Sequence, residues 1–307
     1  MKKEEFEKIL GNYNLGKLKG FKKGRKEEYD VQPCFIIQTT KGKFFLKTYL
    51  ASRDFSLIRN GLRFLDFLRK KNYPAIKAFI TKKGSPYLLH GKTLIAIFEF
   101  MDLKENKSLA QKQAYEFGKA LGRLHKITKN ASIAKTKGYN YYFSLFEKNR
   151  HLKEKGPKLY REAIEYAKGE FKNLKVPKYQ PKSVCHEEFT LEHVRFKNGK
   201  IVKVIDWDWI NKGFLIYDLG TTMTQGFRNR KLDFNLLRDI IKGYESERKL
   251  TKWEKGHLYE ALTYGMFKYM VWGLDEPIRD LTHIKNILYL RDFGKEDFNK
   301  ELKKELR

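Results

Sequence analysis

Cysteine and long apolar runs are scarce in this chain of 307 residues, and each scarcity excludes a class of protein. Cys34 and Cys185 are far apart and lack metal-ligand spacing, so neither a disulfide framework nor a zinc finger is expected. The longest apolar stretch, 93–101, is too short to span a membrane and contains Glu99. The start, MKKEEFEKILGNYNLG, has no signal-peptide character. The sequence therefore predicts a cytoplasmic protein without a membrane segment.

Acidic residues are few relative to basic ones. Lys and Arg number 65 against 37 Asp and Glu, which gives a formal net charge of +28. A concentrated basic face would bind nucleic acid or an anionic membrane. The lysines are instead spread from Lys2 to Lys304 without one dominant block, and no zinc-finger or aromatic-glycine RNA-binding signature occurs. A nucleic-acid partner is therefore not expected despite the charge.

The order of the patterns predicts a sheet followed by helices. CFIIQTT and KFFLKTY are typical strands, with Lys41-Gly42 as the turn between them, and a second hairpin turns at Gly91-Lys92. Arg53 to Lys71 shows helical spacing of leucines. After Met101 the patterns are mainly helical, except for a hairpin with Asn198-Gly199 at its turn. We expect an α+β fold with an N-terminal sheet and helix and a mainly helical C-terminal part.

This last hairpin gathers acidic residues at one end. His193 precedes its first strand, Asp206 ends its second strand, and Glu188 lies on the loop that enters it. With Asp208, these side chains form a cluster that costs stability unless a cation neutralises it. Oxygen ligands favour Mg²⁺, so the sequence predicts a metal site with Asp206 as its best-supported ligand.

The segment VCHEEFTLEHVRFKNGKIVKVIDWDWINKGFLIYDLGTTM resembles the catalytic core of the aminoglycoside phosphotransferase, choline kinase and homoserine kinase superfamily. That core reads H-G-D-x-x-x-x-N, a hairpin, I-D-W or I-D-F, then Y-D-L. The resemblance implies that Glu188 is the catalytic carboxylate and that His193 and Asp206 are the metal ligands. It also implies that His186 and Asp218 are structural residues near the site.

Other segments extend the resemblance over most of the chain. FFLKTY resembles the strand whose lysine binds the ATP phosphates, here Lys47, and IAIFEFM resembles the hinge whose backbone, around Glu99 and Met101, binds adenine. The helix EFGKALGRLHKI resembles the one that follows the hinge. The resemblance implies a protein-kinase-like bilobal fold. Its N-terminal ATP-binding lobe would be 1–98, its hinge 99–103, and its helical lobe with the acceptor site 104–307.

The sequence departs from the family pattern at four points, all of which concern the predicted catalytic, metal-binding or phosphate-binding residues. Glu188 stands where the family has aspartate, which moves the carboxylate by roughly 1 Å. His193 replaces the metal-binding asparagine and is a poor ligand for Mg²⁺ but an acceptable one for Mn²⁺ or Zn²⁺. Glu187 replaces a small residue. Finally, no glutamate after Lys47 has the spacing to pair with it, although Asp54 and Asp66 are nearby.

The expected function is an ATP- and metal-dependent phosphotransferase that acts on a hydroxyl of a small molecule, with Mg²⁺ or Mn²⁺. Two alternatives remain: a nucleotide-binding pseudokinase with a structural or scaffolding role, and a non-catalytic basic binding protein. Homoserine, choline or ethanolamine, and aminoglycosides are all compatible acceptors. Acidic residues that could favour a cationic amine, or equally lie on the surface, are Glu187, Glu192, Asp208, Asp275 and Glu276.

Overall fold

The chain divides into two compact units. In the computed structural model, the described residues are 1–24, 33–50, 55–102, 106, 108–133, 141–152, 156–170, 177–274 and 281–306. The first unit comprises Met1–Lys104 and Lys203–Ile210, and the second comprises Glu105–Val202 and Asn211–Arg307. The fold is α+β, as predicted from the sequence. The assignment of 1–98 to ATP binding and of 99–103 to a hinge stays a prediction, and Leu103 lies outside the described residues.

The first unit is built around an antiparallel sheet. Its described elements are the strands β1 (Leu18–Lys23), β2 (Cys34–Thr39), β3 (Gly42–Leu50), β4 (Leu88–His90) and β5 (Thr93–Glu99), and the helices α1 (Lys3–Leu10) and α2 (Phe55–Lys70). Among these residues the strand order is β1-β2-β3-β5-β4. The β4–β5 turn falls on Gly91-Lys92, as predicted. The β2–β3 turn is one residue earlier than predicted, because Thr39 already pairs with Gly42.

Apolar side chains of α1 cover one face of this sheet. Phe6 and Ile9 are fully buried and belong to the same cluster as Ile37, Leu46 and Ile97 of the strands. Alternation along β2 and β3 places these residues on one face. The sequence patterns had not indicated α1, since the helix is only eight residues long.

Residues 203–210 belong to the first unit because backbone hydrogen bonds tie them to it. The N–H of Val204 donates to the Pro74 carbonyl at 2.7 Å, and the N–H of Ile76 donates to the Val204 carbonyl at 3.0 Å. Helix α2 packs against the following residues so closely that a Cβ on Gly61 would lie 1.9 Å from the Trp207 carbonyl oxygen. Sequence patterns place this segment within 104–307, since backbone pairing over such a distance leaves no local signal.

Helices dominate the second unit. Its described helices are α3 (Gln111–Ile127), α4 (Tyr141–Asn149), α5 (Lys158–Glu170), α6 (Leu215–Met223), α7 (Phe234–Glu247), α8 (Lys252–Gly256), α9 (Leu258–Trp272), α10 (Thr282–Phe293) and α11 (Lys295–Leu306). Its short strands are β6 (Lys182–Cys185), β7 (Val194–Lys197), β8 (Lys200–Val204, whose last two residues belong to the first unit), β9 (Asn211–Phe214), β10 (Phe227–Arg228) and β11 (Lys231–Leu232). At the β7–β8 turn, Asn198 and Gly199 both have positive φ, which explains why this pair occurs there.

Glycines allow two helix pairs of this unit to approach closely. A Cβ on Gly118 of α3 would lie 1.8 Å from the Ile240 carbonyl oxygen of α7, and one on Gly220 of α6 would lie 1.8 Å from the Ala261 carbonyl oxygen of α9. Both pairs therefore pack backbone against backbone. This packing holds α6, which carries Asp218, in a fixed place in the core.

Within the described ranges, no helix has both the length and the apolar character needed to cross a membrane. The cytoplasmic location stays a prediction, as does the expectation that the excess of positive charge has no nucleic-acid partner.

Candidate active site

The loop after β6 carries three of the predicted site residues. β6 pairs with β9, Cys185 opposite Asn211, so the loop starts from a fixed strand end. Glu188 is buried, with 8% of its surface exposed. Its N–H donates to Nδ1 of His186 at 3.3 Å, and its carbonyl oxygen accepts from Nδ1 of His193 at 2.8 Å. The backbone of Glu188 is therefore held between two imidazoles.

The second of these bonds determines the tautomer of His193. A carbonyl oxygen only accepts hydrogen bonds, so Nδ1 of His193 carries the proton toward Glu188. The lone pair of the neutral ring then lies on Nε2. Metal-binding histidines are oriented in this way, by a hydrogen bond from the other ring nitrogen. His193 thus has the tautomer that a metal ligand needs.

Asp218 of α6 braces the start of the same loop. Its Oδ2 accepts from the backbone N–H of His186 at 2.8 Å, and its Oδ1 accepts from that of Glu187 at 2.9 Å. Nε2 of His125 lies 3.0 Å from Oδ2. Burial by itself raises the pKa of Asp218, but the hydrogen bond from His125 and nearby positive charges outweigh it, so the pKa lies below its usual value. The carboxylate stays ionised and holds two consecutive amides.

A chain of hydrogen bonds continues behind Asp218. The guanidinium of Arg248 donates to the Tyr244 hydroxyl at 2.9 Å, and that hydroxyl lies 2.7 Å from Nδ1 of His125. Since arginine can only donate, the hydroxyl proton points to Nδ1, and Nε2–H of His125 donates to Asp218. Burial lowers the pKa of His125 although Asp218 opposes the shift, so the ring is neutral. Arg248 is anchored in turn by two bonds to the buried carboxylate of Glu254, at 2.8 and 2.9 Å.

In the first unit, the predicted phosphate-binding lysine contacts two acids. Nζ of Lys47 on β3 lies 3.3 Å from Oδ1 of Asp206 and 2.9 Å from Oδ2 of Asp208. Asp206 follows β8 in a left-handed conformation, with φ of 57°. The structure therefore brings Lys47, Asp206 and Asp208 together.

Asp208 is buried, with 7% of its surface exposed, so the interpretation of it as a solvated surface acid is wrong. The hydroxyl of Tyr49 donates to its Oδ1 at 2.9 Å. Burial raises the pKa of Asp208 to about 6, against the charge of Lys47, which lowers it. Asp208 therefore forms one cluster with Lys47 and Tyr49.

Asp66, in the last turns of α2, does not take the place of a helix glutamate as the partner of Lys47. Asp66 forms an exposed ion pair with Lys70 at 2.7 Å. Asp54 lies outside the described residues, as do Asp275 and Glu276.

Glu99 ends β5, and both its backbone and its side chain are engaged. Its N–H donates to the carbonyl of Lys77 at 3.0 Å. Its Oε1 accepts from the N–H of Lys77 at 2.8 Å and pairs with Nζ of Lys203 at 2.6 Å. Any adenine contact from Glu99 would therefore use its carbonyl oxygen. Met101, two residues on, is half-buried.

Sequence reasoning missed several residues of this site. Tyr49 could have been found, because alternation along β3 puts it on the same face as Lys47. Lys268 is 1% exposed, and its only signal was a lysine inside the apolar run of α9. Tyr244 had no local signal, since its partner His125 is 119 positions away in the sequence.

Residues 27–259 of the chain match the model of a family described as "Phosphotransferase enzyme family". Among curated proteins, a homoserine kinase of Caulobacter sp. (strain K31) is 27% identical over 258 residues, which cover 82% of this chain and 79% of that protein.

Solved structures share the fold. A structure described as amicoumacin kinase in complex with AMP-PNP, Ca²⁺ and Ami has a TM-score of 0.73 at 13% identity, over 95% of this chain and 93% of the other. A microcompartment-associated aminopropanol kinase has a TM-score of 0.66 at 14% identity, over 94% of each chain. The fold is therefore protein-kinase-like, as the resemblance in the sequence implied.

Proposed function

Because the chain belongs to the phosphotransferase enzyme family and is a small-molecule kinase, we propose that it transfers the γ-phosphoryl group of ATP to a hydroxyl group of a small molecule. The observation that carries this proposal is the contact of Lys47 with Asp206 and Asp208, at 3.3 and 2.9 Å. A metal-bound nucleotide offers each group a new partner: phosphate oxygens for the ammonium and a cation for the carboxylates. Lys47 and the two aspartates are thus already close to one another before the phosphates and the cation bind to them.

The donor atoms of the predicted metal ligands are of types that bind a divalent cation. Asp206 and Asp208 supply carboxylate oxygens, which Mg²⁺ prefers, and Nε2 of His193 is a ligand type more suited to Mn²⁺. We infer that Asp206 is the main ligand and that Asp208 and His193 are further ligands. The bound ion would neutralise charge on the β- and γ-phosphates.

Glu188 is the proposed catalytic carboxylate. It would accept a hydrogen bond from the acceptor hydroxyl and direct its oxygen in line with the γ-phosphorus. The bond from this oxygen to phosphorus forms as the bond to the β-phosphate oxygen breaks. ADP leaves, and the hydroxyl proton passes to the Glu188 carboxylate. Lys47 stabilises charge on the phosphates.

The remaining predicted residues bind adenine or hold the loop that carries Glu188. We propose that the carbonyl of Glu99 and the backbone of Met101 bind adenine. His186 and Asp218 would be structural: the imidazole holds the N–H of Glu188, and the carboxylate holds the two preceding amides.

For the acceptor, we propose an amino alcohol, of which homoserine is the first candidate. A homoserine kinase is among the curated relatives, and an aminopropanol kinase is among the structural ones. Both named compounds carry an amine and a hydroxyl group. Ethanolamine and aminoglycosides follow as alternatives with the same two features, and choline as one with a quaternary ammonium group beside its hydroxyl.

The test is an assay of ADP formation with ATP and either Mg²⁺ or Mn²⁺ against this panel of acceptors, with mass spectrometry of the product. We expect Asp206→Asn to abolish phosphorylation of the acceptor and Glu188→Gln to reduce it at least about 100-fold. Glu188→Asp, which restores the family residue, should raise it. Asp66→Asn, in an exposed ion pair, is the matched control and should leave the rate unchanged.

Two outcomes would contradict the proposal. If Asp206→Asn keeps its activity, the assignment of the metal ligand is wrong. If ATP and the metal raise the melting temperature but no acceptor is phosphorylated, the protein is the nucleotide-binding pseudokinase instead.

A further inference from the structure

Glu187, next to the proposed catalytic Glu188, has a backbone conformation that is costly for its residue type. Its φ is 71°, in the left-handed region where glycine is the usual occupant. The family pattern H-G-D has glycine at this place. A side chain here persists only when its surroundings hold the backbone.

Lys268 of α9 holds the backbone of Glu187 in this conformation. Its Nζ donates to the carbonyl oxygen of Glu187 and lies 3.1 Å from the Oε2 of the same residue. Nδ2 of Asn211 contacts the other carboxylate oxygen at 3.4 Å. With Asp218 bonded to the N–H of Glu187, all three polar parts of this residue are engaged.

The ammonium group is itself enclosed. The side chain of Lys268 is fully buried, and Nζ lies 5.0 Å from the centre of the Tyr142 ring and 5.6 Å from that of Trp272. Aromatic faces attract a cation that has lost its water. A buried ammonium without partners would be very unfavourable, so its position is confined to the carbonyl and carboxylate of Glu187.

We propose that Lys268 is a positioning residue for catalysis, which clamps Glu187 in the left-handed conformation and so directs Glu188. The inference rests on the proposed function, because it assigns Glu188 to the acceptor hydroxyl. Glu188 is one peptide unit from the clamped carbonyl, so a rotation at Glu187 moves its carboxylate directly. In the family pattern a glycine adopts the left-handed conformation at this position without strain. In this chain the buried Lys268 holds Glu187 in that conformation instead.

The test compares two single and two double variants with the wild-type protein in kcat, KM for ATP and melting temperature. Lys268→Met should lower kcat about 10- to 100-fold, as for a catalytic group displaced by about 1 Å, while KM for ATP changes less than about twofold. It should also lower the melting temperature, since the carboxylate of Glu187, with 12% of its side chain exposed, is left without its counter-charge. Met266→Ala, a buried residue of the same helix, is the control that should lower the melting temperature and keep kcat.

Two double variants test whether Lys268 holds the backbone of Glu187 or only neutralises its carboxylate. Glu187→Gln with Lys268→Met has no unpaired charge, so its melting temperature should return toward the wild-type value while kcat stays low. Glu187→Gly with Lys268→Met should recover kcat to within about threefold, because glycine adopts the left-handed conformation without a clamp. If the Gln–Met variant recovers kcat together with stability, Lys268 only balances charge and the proposal is overturned.

A failure of the proposed function is distinguishable from a failure of the clamp. If the wild-type protein phosphorylates no acceptor, the proposed function is wrong. The clamp is then judged by hydrogen exchange. The amides of His186 and Glu187 should exchange at least about tenfold faster in Lys268→Met than in Met266→Ala, and equal rates in the two variants would overturn it.

Discussion

Nζ of Lys47 lies 2.9 Å from Oδ2 of Asp208, although the two residues are 161 positions apart in the chain. The acid is 7% exposed, so the contact is shielded from water and from screening by salt. Removing either partner leaves a charge without its main counter-charge. The first two predictions follow from this relationship.

Replacing Lys47 with methionine should reduce kcat/KM for ATP by about 100-fold, because the phosphates lose a positive partner. The melting temperature should also fall, since Asp206 and Asp208 are then left side by side. Steady-state kinetics and thermal unfolding check this. Lys43→Met, an exposed lysine on the same face of β3, is the matched control, and an equal loss there would contradict the role of Lys47.

Replacing Tyr49 with phenylalanine should destabilise the protein by about 1 kcal/mol at pH 7.5 and by less at pH 5. The pKa of Asp208 is already raised from 3.8 to about 6, so its carboxylate disfavours folding as pH rises through that window. Loss of the Tyr49 hydroxyl raises the pKa of Asp208 further. The decrease in folding stability with rising pH then continues to a higher pH. Urea unfolding at the two pH values measures the difference. Tyr87→Phe, whose hydroxyl accepts an exposed hydrogen bond from Arg63, should cost little at either pH.

The neutral state of His125 should make stability fall as pH drops below about 6.5. Its pKa in the folded protein is lowered by burial, so the unfolded chain binds the proton first, and this costs up to about 1.4 kcal/mol per pH unit. His125→Gln can still donate to Asp218 but does not titrate, so it should flatten the dependence between pH 5.5 and 7. His90→Gln, on β4, should retain it. An unchanged slope in His125→Gln would show that another group is responsible.

Replacing Gly118 with alanine should destabilise the second unit by at least about 2 kcal/mol, because the new Cβ would lie 1.8 Å from the Ile240 carbonyl and force α3 away from α7. Gly169 of α5 is the matched control. A Cβ there meets nothing within 4 Å, so Gly169→Ala should be neutral or stabilise by about 0.5–1 kcal/mol. Chemical unfolding of both variants tests this. Equal effects would mean that the two helices can separate at no cost.

Local patterns predicted much of the fold. Alternating apolar residues marked β2 and β3, leucine spacing marked α2, and Asn198-Gly199 marked the β7–β8 turn, where both residues have positive φ. Helix α1 escaped notice because it is short and its helical character depends on packing Phe6 and Ile9 against the sheet. Propensity alone rarely makes so short a helix stable.

The hairpin and the family pattern were the two sequence signals for the candidate site. That pattern pointed to Glu188, Asp206 and Asp218, and the structure shows the last of these bonded to two loop amides. It could not indicate that Lys47 pairs with Asp208 in place of a helix glutamate. Nor could it indicate that Lys268 holds Glu187, because no rule of spacing connects a loop to a helix about 80 residues later.

The sequence by itself determined most of the elements, two of the three predicted hairpin turns and the identity of the charged groups, since these depend on covalent neighbours and on periodicities of two or 3.6 residues. Only the tertiary structure decided which charges meet. Burying Asp208 and Lys268 makes their partners obligatory, because an ion removed from water must find its counter-charge in the protein. That requirement is set by the packing around each ion, and the packing exists only once the distant segments have come together.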